Sequence, residues 1–136
     1  MIKDRADIKN LAIFMDYVRE FAQTSGFTID KGLQRIELSV EEVLVNIINY
    51  AFNDHPGYIT ISCSYSNDLL TIKIIDNGKP FNLMDQEDPD INLPADQREV
   101  GGLGIFLVKN LMDDVQYYRE NDENILLLTK KMIDYS

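Results

Sequence analysis

Apolar positions recur along this chain with two different periods. Over 6–23, Ile8, Leu11, Met15, Val18 and Ala22 fall at the three-and-four spacing of a helix that buries one side, and Phe14 and Phe21 widen the stripe. Gly26 then predicts the end of that helix, and Asp30 is placed to cap the next one. The second helix, 36–52, has Ile36, Val40, Val43, Leu44, Ile47, Ile48 and Ala51 as its core stripe. Glu42, Asn46 and Asn49 form a narrow polar line at i, i+4 and i+7 on the opposite side, beside Val45 and Phe52.

After a turn over 53–57 the period changes. Ile59, Ile61, Cys63 and Tyr65 alternate with Thr60, Ser62 and Ser64, and 69–75 is an apolar run rich in β-branched residues. Two strands joined at Ser66-Asn67-Asp68 are predicted. Residues 82–100 carry acids, Pro89 and Pro94 but little periodicity, and a loop of that length inside a compact domain marks a lid, a binding loop or disorder. Gly101-Gly102-Leu103-Gly104 ends it and opens a helix in which Ile105, Phe106, Val108, Leu111 and Met112 pack inward. A closing hairpin of 115–118 and 125–131 turns about 121–124. This order predicts an α/β fold, an α+β two-layer sandwich with a mixed, mostly antiparallel sheet covered on one face by helices.

Composition narrows the function. With 136 residues and 45% hydrophobic content the chain suits one core, and a single domain over 1–136 is expected. A net charge of -10 argues against binding nucleic-acid phosphate or anionic membrane, both of which need clustered Lys and Arg. No apolar run reaches the length of a bilayer span and MIKDRADIKN has no signal-peptide segment, so a cytoplasmic protein is expected. The single Cys63 can form neither an internal disulfide nor a cysteine metal cluster and reads as core filling. The lone His55 reads as a loop residue.

Two glycine-containing stretches offer chemistry. Gly101-Gly102-x-Gly104 at a helix start presents free N–H groups and close backbone approach, the requirements for holding phosphate at the positive end of a helix. It is neither a Walker-A pattern nor a dinucleotide fingerprint, and a tight loop-to-helix turn accounts for it equally. Asp76-x-Gly78 at a strand end is either a turn whose aspartate bonds its local backbone or an acceptor for the amino group of a base, with the glycine clearing room.

Taken in order, Glu42-Val-Leu-Val-Asn46, Asp76-Asn-Gly78-Lys-Pro-Phe81 and Gly101-Gly102-Leu-Gly104-Ile-Phe-Leu-Val-Lys-Asn-Leu-Met-Asp113 resemble the N box and the two glycine boxes of the GHKL-type (Bergerat) ATP-binding domains. Within them the chain is most similar to the small anti-sigma factor serine/threonine kinases, over nearly its whole length. The resemblance implies ATP and Mg2+ as cofactors, with 82–100 as the ATP lid. It makes Asn46 the Mg2+ ligand, Glu42 the general base for an attacking serine hydroxyl, and Asp76 the acceptor for the adenine amino group. Gly78 lets the base lie close, the backbone of Gly101, Gly102, Leu103, Gly104 and Ile105 holds the phosphates, and Asn49 and Arg98 complete the nucleotide site. Lys109 is assigned to the solvated helix face.

The implied partners are a sigma factor and a small anti-sigma-factor antagonist protein, with a homodimer as the assembly. Three positions depart from the family pattern. Tyr50 stands where relatives often have histidine, Asn124-Ile125 where many have a threonine near the adenine, and the strand that precedes the first helix in many relatives is at most MIKDR. An ATP-binding regulatory module that binds protein partners without phosphotransfer is the alternative function. A detached histidine-kinase ATPase domain is disfavoured, because the chain has no helical hairpin bearing a phosphorylatable histidine.

Overall fold

A computed structural model describes residues 1–52, 56–85 and 102–135, with the side chains of Gly102 and Leu103 left out. The elements are β1 (Ile2–Arg5), α1 (Leu11–Ser25), α2 (Leu33–Tyr50), β2 (Tyr58–Ser66), β3 (Leu69–Asp76), α3 (Gly102–Leu111), β4 (Asp114–Glu120) and β5 (Glu123–Lys131). The strands form one sheet in the order β1-β2-β3-β5-β4, with every described ladder antiparallel. After α3 the chain enters β4 in the same direction as β3, but β5 folds back between them and makes both of its pairings antiparallel.

Two tight turns impose that register. Asn67 and Asp68 (φ 52° and 62°) join β2 to β3, and Asn121 and Asp122 (φ 54° and 62°) join β4 to β5. Asn and Asp tolerate this left-handed region, and two-residue loops of this kind match the twist of the flanking strands. The second turn is shorter than the 121–124 expected from the sequence. Asn124 is therefore not a turn residue but lies in β5, opposite Asp76 of β3.

Helices cover one face of the sheet. Ile59, Ile61, Leu70, Ile72, Ile74, Leu126 and Leu128 point into the core, where they meet Phe14, Val18 and Ala22 of α1, Ile36, Val40, Leu44 and Ile47 of α2, and Ile105 and Val108 of α3. Each such side chain contributes about 1.5–3 kcal/mol by leaving water. α2 packs against both α1 and α3, so its apolar stripe faces the sheet while its flanks face the other two helices.

Several local expectations change. α1 ends at Gly26 (φ 113°), as its glycine implied, but α2 begins at Leu33 after the left-handed Gly32 (φ 104°), with no side-chain cap. Asp30 sits instead in a short 3-10 turn, because Gly32 breaks the chain between that turn and the helix. The MIKDR segment does form a strand, which pairs with β2 at the sheet edge. The start of the long loop, read as having little periodicity, is pinned: Leu83 is buried in a 3-10 turn and the Asn82 Oδ1 accepts from the Met84 N–H at 2.9 Å. His55 and residues 86–100, the rest of the stretch expected to be a lid, lie outside the described residues. Cys63 packs against the core, and burial pushes its thiol up to about 12, so it stays protonated and unreactive at neutral pH.

The inward alternation along β5 also buries Lys130. A lysine so placed needs partners. Its ammonium donates to Asp113 Oδ2 at 2.9 Å and to the Tyr135 hydroxyl, and the Arg35 guanidinium lies 4.2 Å from the centre of the Tyr135 ring. Partial burial pushes the Asp113 carboxyl upward, but the Lys131 N–H and the Lys130 ammonium outweigh it and hold the group below its ordinary value.

Candidate nucleotide site

α2 forms the common wall of the candidate site. Near its middle, Asn46 is buried and donates from Nδ2 to the Glu42 carbonyl at 2.7 Å, which turns Oδ1 outward from the helix ladder. Glu42 is partly buried, whereas Glu41, the neighbouring carboxylate, is exposed. Facing them is the first turn of α3. A Cβ added at Gly104 would lie 2.6 Å from Glu42 Oε2 and 3.5 Å from Asn46 Nδ2, so the bare glycine leaves room for the Glu42 carboxylate in its present position. The N–H groups of that first turn have no intrahelical partner and carry the positive end of the helix dipole. A carboxylate, an amide and a helix N-terminus thus share one point.

At the C-terminal end of α2 a second cluster forms. Gly78 packs on Ala51, where an added Cβ would run into the Ala51 carbonyl oxygen and come within 2.9 Å of its Cβ. The Lys79 N–H donates to the same carbonyl at 2.9 Å. Just before this turn, Asp76 is 2% exposed and accepts at Oδ1 from the Gly78 N–H at 2.9 Å and from Asn124 Nδ2 at 2.8 Å. Burial pushes its carboxyl above the ordinary range, against the pull of those two donors and of Arg119. Tyr50 and Phe81 stand beside the turn with ring centroids 6.1 Å apart.

The rise of 1.5 Å per residue puts Ala51 roughly 7 Å beyond Asn46 and 13 Å beyond Glu42 along α2. One end of this stretch of α2 therefore lies beside a buried acceptor and the other beside a positive helix end and a carboxylate. Asn49 is solvent-exposed on α2. Gly102, Leu103, Gly104 and Ile105 all belong to α3, with Ile105 buried, while Arg98 and Gly101 lie outside the described residues.

Tyr117 and Arg119 were missed, and Asn124 stood out only as a departure from the family pattern near the adenine. The signal was present in the period of two: Tyr117 and Arg119 alternate inward along β4, as Asn124 does with Leu126 and Leu128 along β5. Inward polar residues need partners, and here the partners belong to the site.

Gly104 separates fold from chemistry. Gly104→Ala is expected to leave the thermal midpoint unchanged or slightly raised, since alanine is favoured over glycine within a helix by up to about 1 kcal/mol. The added methyl displaces the flexible end of Glu42, so any activity that depends on that carboxylate should fall. Parallel melting and phosphotransfer assays check this, and a variant with unchanged transfer would show that the Glu42 position is not needed.

A family model described as a histidine kinase-like ATPase domain matches residues 5–130. The serine-protein kinase RsbW of Bacillus mycoides (strain KBAB4) is 32% identical over 136 residues, covering 97% of this chain and 83% of that protein. RsbW of Listeria monocytogenes serovar 1/2a (strain ATCC BAA-679 / EGD-e) is 30% identical over 118 residues, covering 83% of this chain and 73% of that protein. Among solved structures, the catalytic domain of histidine kinase ThkA superposes with a TM-score of 0.58 at 12% identity, over 97% of both chains. The blue-light activated histidine kinase EL346 of Erythrobacter litoralis does so with a TM-score of 0.55 at 18% identity, over 90% of this chain and 42% of that one. At such identities these structures share the fold alone, but the family match runs from the end of β1 almost to the end of β5 and takes in both glycine turns. The chain belongs to the histidine kinase-like ATPase domain family.

Proposed function

We propose that this chain is an ATP-dependent serine/threonine protein kinase that phosphorylates a small anti-sigma-factor antagonist and binds a sigma factor, in a partner-switching circuit. The observation that carries the kinase reading is the meeting of Glu42, Asn46 and Gly104 at the start of α3. In this reading residues 1–136 are one ATP-binding kinase domain, residues 82–100 are its lid, and the protein acts in the cytoplasm as a homodimer. No helix among the described residues is long and apolar enough to cross a membrane.

Asp76 accepts from the adenine amino group, Gly78 lets the base approach, and the N–H groups of the Gly101–Ile105 turn receive the phosphates, with Asn49 and Arg98 at the margin. Asn46 supplies one oxygen ligand to Mg2+. The donor set fits that ion, since the Asn46 Nδ2 is bonded to the Glu42 carbonyl, leaving the amide oxygen as the donor, and Mg2+ takes most of its ligands from water and phosphate. When bound, Mg2+ neutralises charge on the phosphates. Glu42 takes the proton from the serine hydroxyl, the oxygen forms its bond to the γ-phosphorus, and the bond to the β–γ bridging oxygen breaks to release ADP.

Incubating the protein with Mg-ATP and its antagonist, then weighing the antagonist by mass spectrometry, tests the proposal. A mass increase of one phosphate on a serine or threonine is expected. Binding of Mg-ATP without that increase would leave the ATP-binding regulatory module as the function. Asn46→Ala should lower Mg2+-dependent nucleotide affinity and transfer together.

The state of Asp76 makes a separate prediction. Its carboxylate is the accepting form, present above its pKa and lost as pH falls through it. Because burial raises that pKa, nucleotide affinity should begin to fall on acidification above the pH range of an ordinary aspartate. Asp76→Asn should weaken Mg-ATP binding by about 10- to 100-fold, the scale of a hydrogen bond to a charged group, and abolish that pH step. Titrations of both proteins across the acid range measure it.

A further inference from the structure

Asn124 is the most heavily bonded side chain beside the candidate nucleotide site. It is 3% exposed. Its Nδ2 donates to Asp76 Oδ1 at 2.8 Å and to the Lys79 carbonyl at 2.7 Å. Its Oδ1 accepts from the Phe81 N–H at 3.1 Å, the Tyr117 hydroxyl at 2.5 Å and Arg119 Nη1 at 3.1 Å. Three donors on one end and two acceptors on the other leave no doubt which end is which. Arg119 Nη1 also donates to the Gly78 carbonyl at 2.8 Å, so β4 and β5 together hold the turn that follows β3.

An amide has two N–H donors and two lone pairs, and those of Asn124 are used within the protein. It has no capacity left for a base. Its effect on a ligand must pass through Asp76, whose Oδ1 is held by Asn124 and Gly78, so that Oδ2 is the oxygen the network leaves to a ligand. We propose that Asn124 is a positioning residue which locks the Asp76 carboxylate in the orientation that reads the 6-amino group of adenine, with Tyr117 and Arg119 bracing it from β4. This rests on the reading of Asp76 as the adenine acceptor, and it adds a specificity-determining residue that does not itself touch the nucleotide.

The test compares Mg-ATP with the Mg2+ complex of purine riboside triphosphate, which lacks only the 6-amino group, on wild type, Asp76→Asn, Asn124→Ala and Asn124→Asp. The wild type should prefer ATP. Asn124→Ala should lose about tenfold in ATP affinity while binding the purine analogue within about twofold of wild type, the loss corresponding to one charge-assisted hydrogen bond no longer aligned. Unchanged analogue binding shows that the site is still folded.

Asn124→Asp keeps the shape and the acceptor atoms but puts a second carboxylate against Asp76, and two carboxylates at that distance share a proton. The charged and titratable groups facing the pair are Arg119 and Tyr117 of β4 and Glu123 of β5. The acid midpoint of Mg-ATP binding should move to higher pH in this variant, a shift that simple loss of packing does not produce.

If wild type fails to distinguish the two nucleotides, or Asp76→Asn distinguishes them as well as wild type does, the adenine reading of Asp76 falls and the role of Asn124 falls with it. If wild type distinguishes them and Asn124→Ala does so equally well, only the role of Asn124 is overturned. Parallel loss of both nucleotides in Asn124→Ala, with no pH shift in Asn124→Asp, overturns it in favour of a structural brace.

Discussion

Glu42→Gln is expected to bind Mg-ATP like the wild type and to transfer phosphate about 10²- to 10⁴-fold more slowly, the usual contribution of a positioned general base. Glutamine keeps the size and hydrogen-bonding reach of the side chain but cannot take the serine proton. The position supports the role: Glu42 lies against the start of α3 and one helical turn from the buried Asn46. Glu41 is the natural control, being exposed and about 100° further round the helix. Glu41→Gln should leave transfer nearly unchanged. Rapid-quench phosphotransfer together with nucleotide titration decides the matter, and either normal transfer or lost nucleotide binding in Glu42→Gln would remove the residue from the role of base.

Gly78→Ala should damage both the fold and the candidate site, because the atom in its way is backbone. The added carbon runs into the Ala51 carbonyl oxygen and lies 3.0 Å from its carbonyl carbon, and backbone at the end of a packed helix cannot swing aside. The Gly78 N–H to Asp76 and the Gly78 carbonyl to Arg119 are disturbed together. Overpacking of this kind costs about 1–3 kcal/mol, a fall of roughly 5–15 °C in the thermal midpoint. Because the displaced turn also carries Asp76, Mg-ATP affinity should drop more than about tenfold, the worth of one such charge-assisted bond. Calorimetric melting and titration measure both. The contrast with Gly104→Ala is the informative part, since the same methyl there meets the movable tip of a carboxylate, and a stable Gly78→Ala with full nucleotide affinity would show that the joint between α2 and the turn is looser than its geometry.

Family membership also changes how the site's parts are weighted. Each glycine turn alone has an ordinary structural explanation, and the polar line on α2 alone is an ordinary helix surface. The structure brings them together because α2 touches both turns, through Ala51 to Gly78 and through Glu42 to Gly104. Asp76 shows that the two readings of its triplet are compatible: it bonds its local backbone at Oδ1, and that bond is part of what would orient it toward a base.

What the sequence determined by itself was everything carried by local period. The apolar stripes of α1 and α2, the alternation of β2, the β-branched run of β3 and the helix-ending Gly26 are all properties of windows no longer than one element, where side-chain direction follows from backbone geometry. The three motifs were legible for the same reason, as was the approximate place at which each hairpin turns. The tertiary structure alone decided which of these pieces meet. Whether MIKDR forms a strand depended on a free edge of β2 to pair with, and whether Asp30 or Gly32 begins α2 depended on how the chain turns out of α1. Asn124 is the clearest case. A two-residue turn, rather than a four-residue one, placed it in β5 opposite Asp76, and a shift of one residue in that register would have turned its amide to the other face of the sheet.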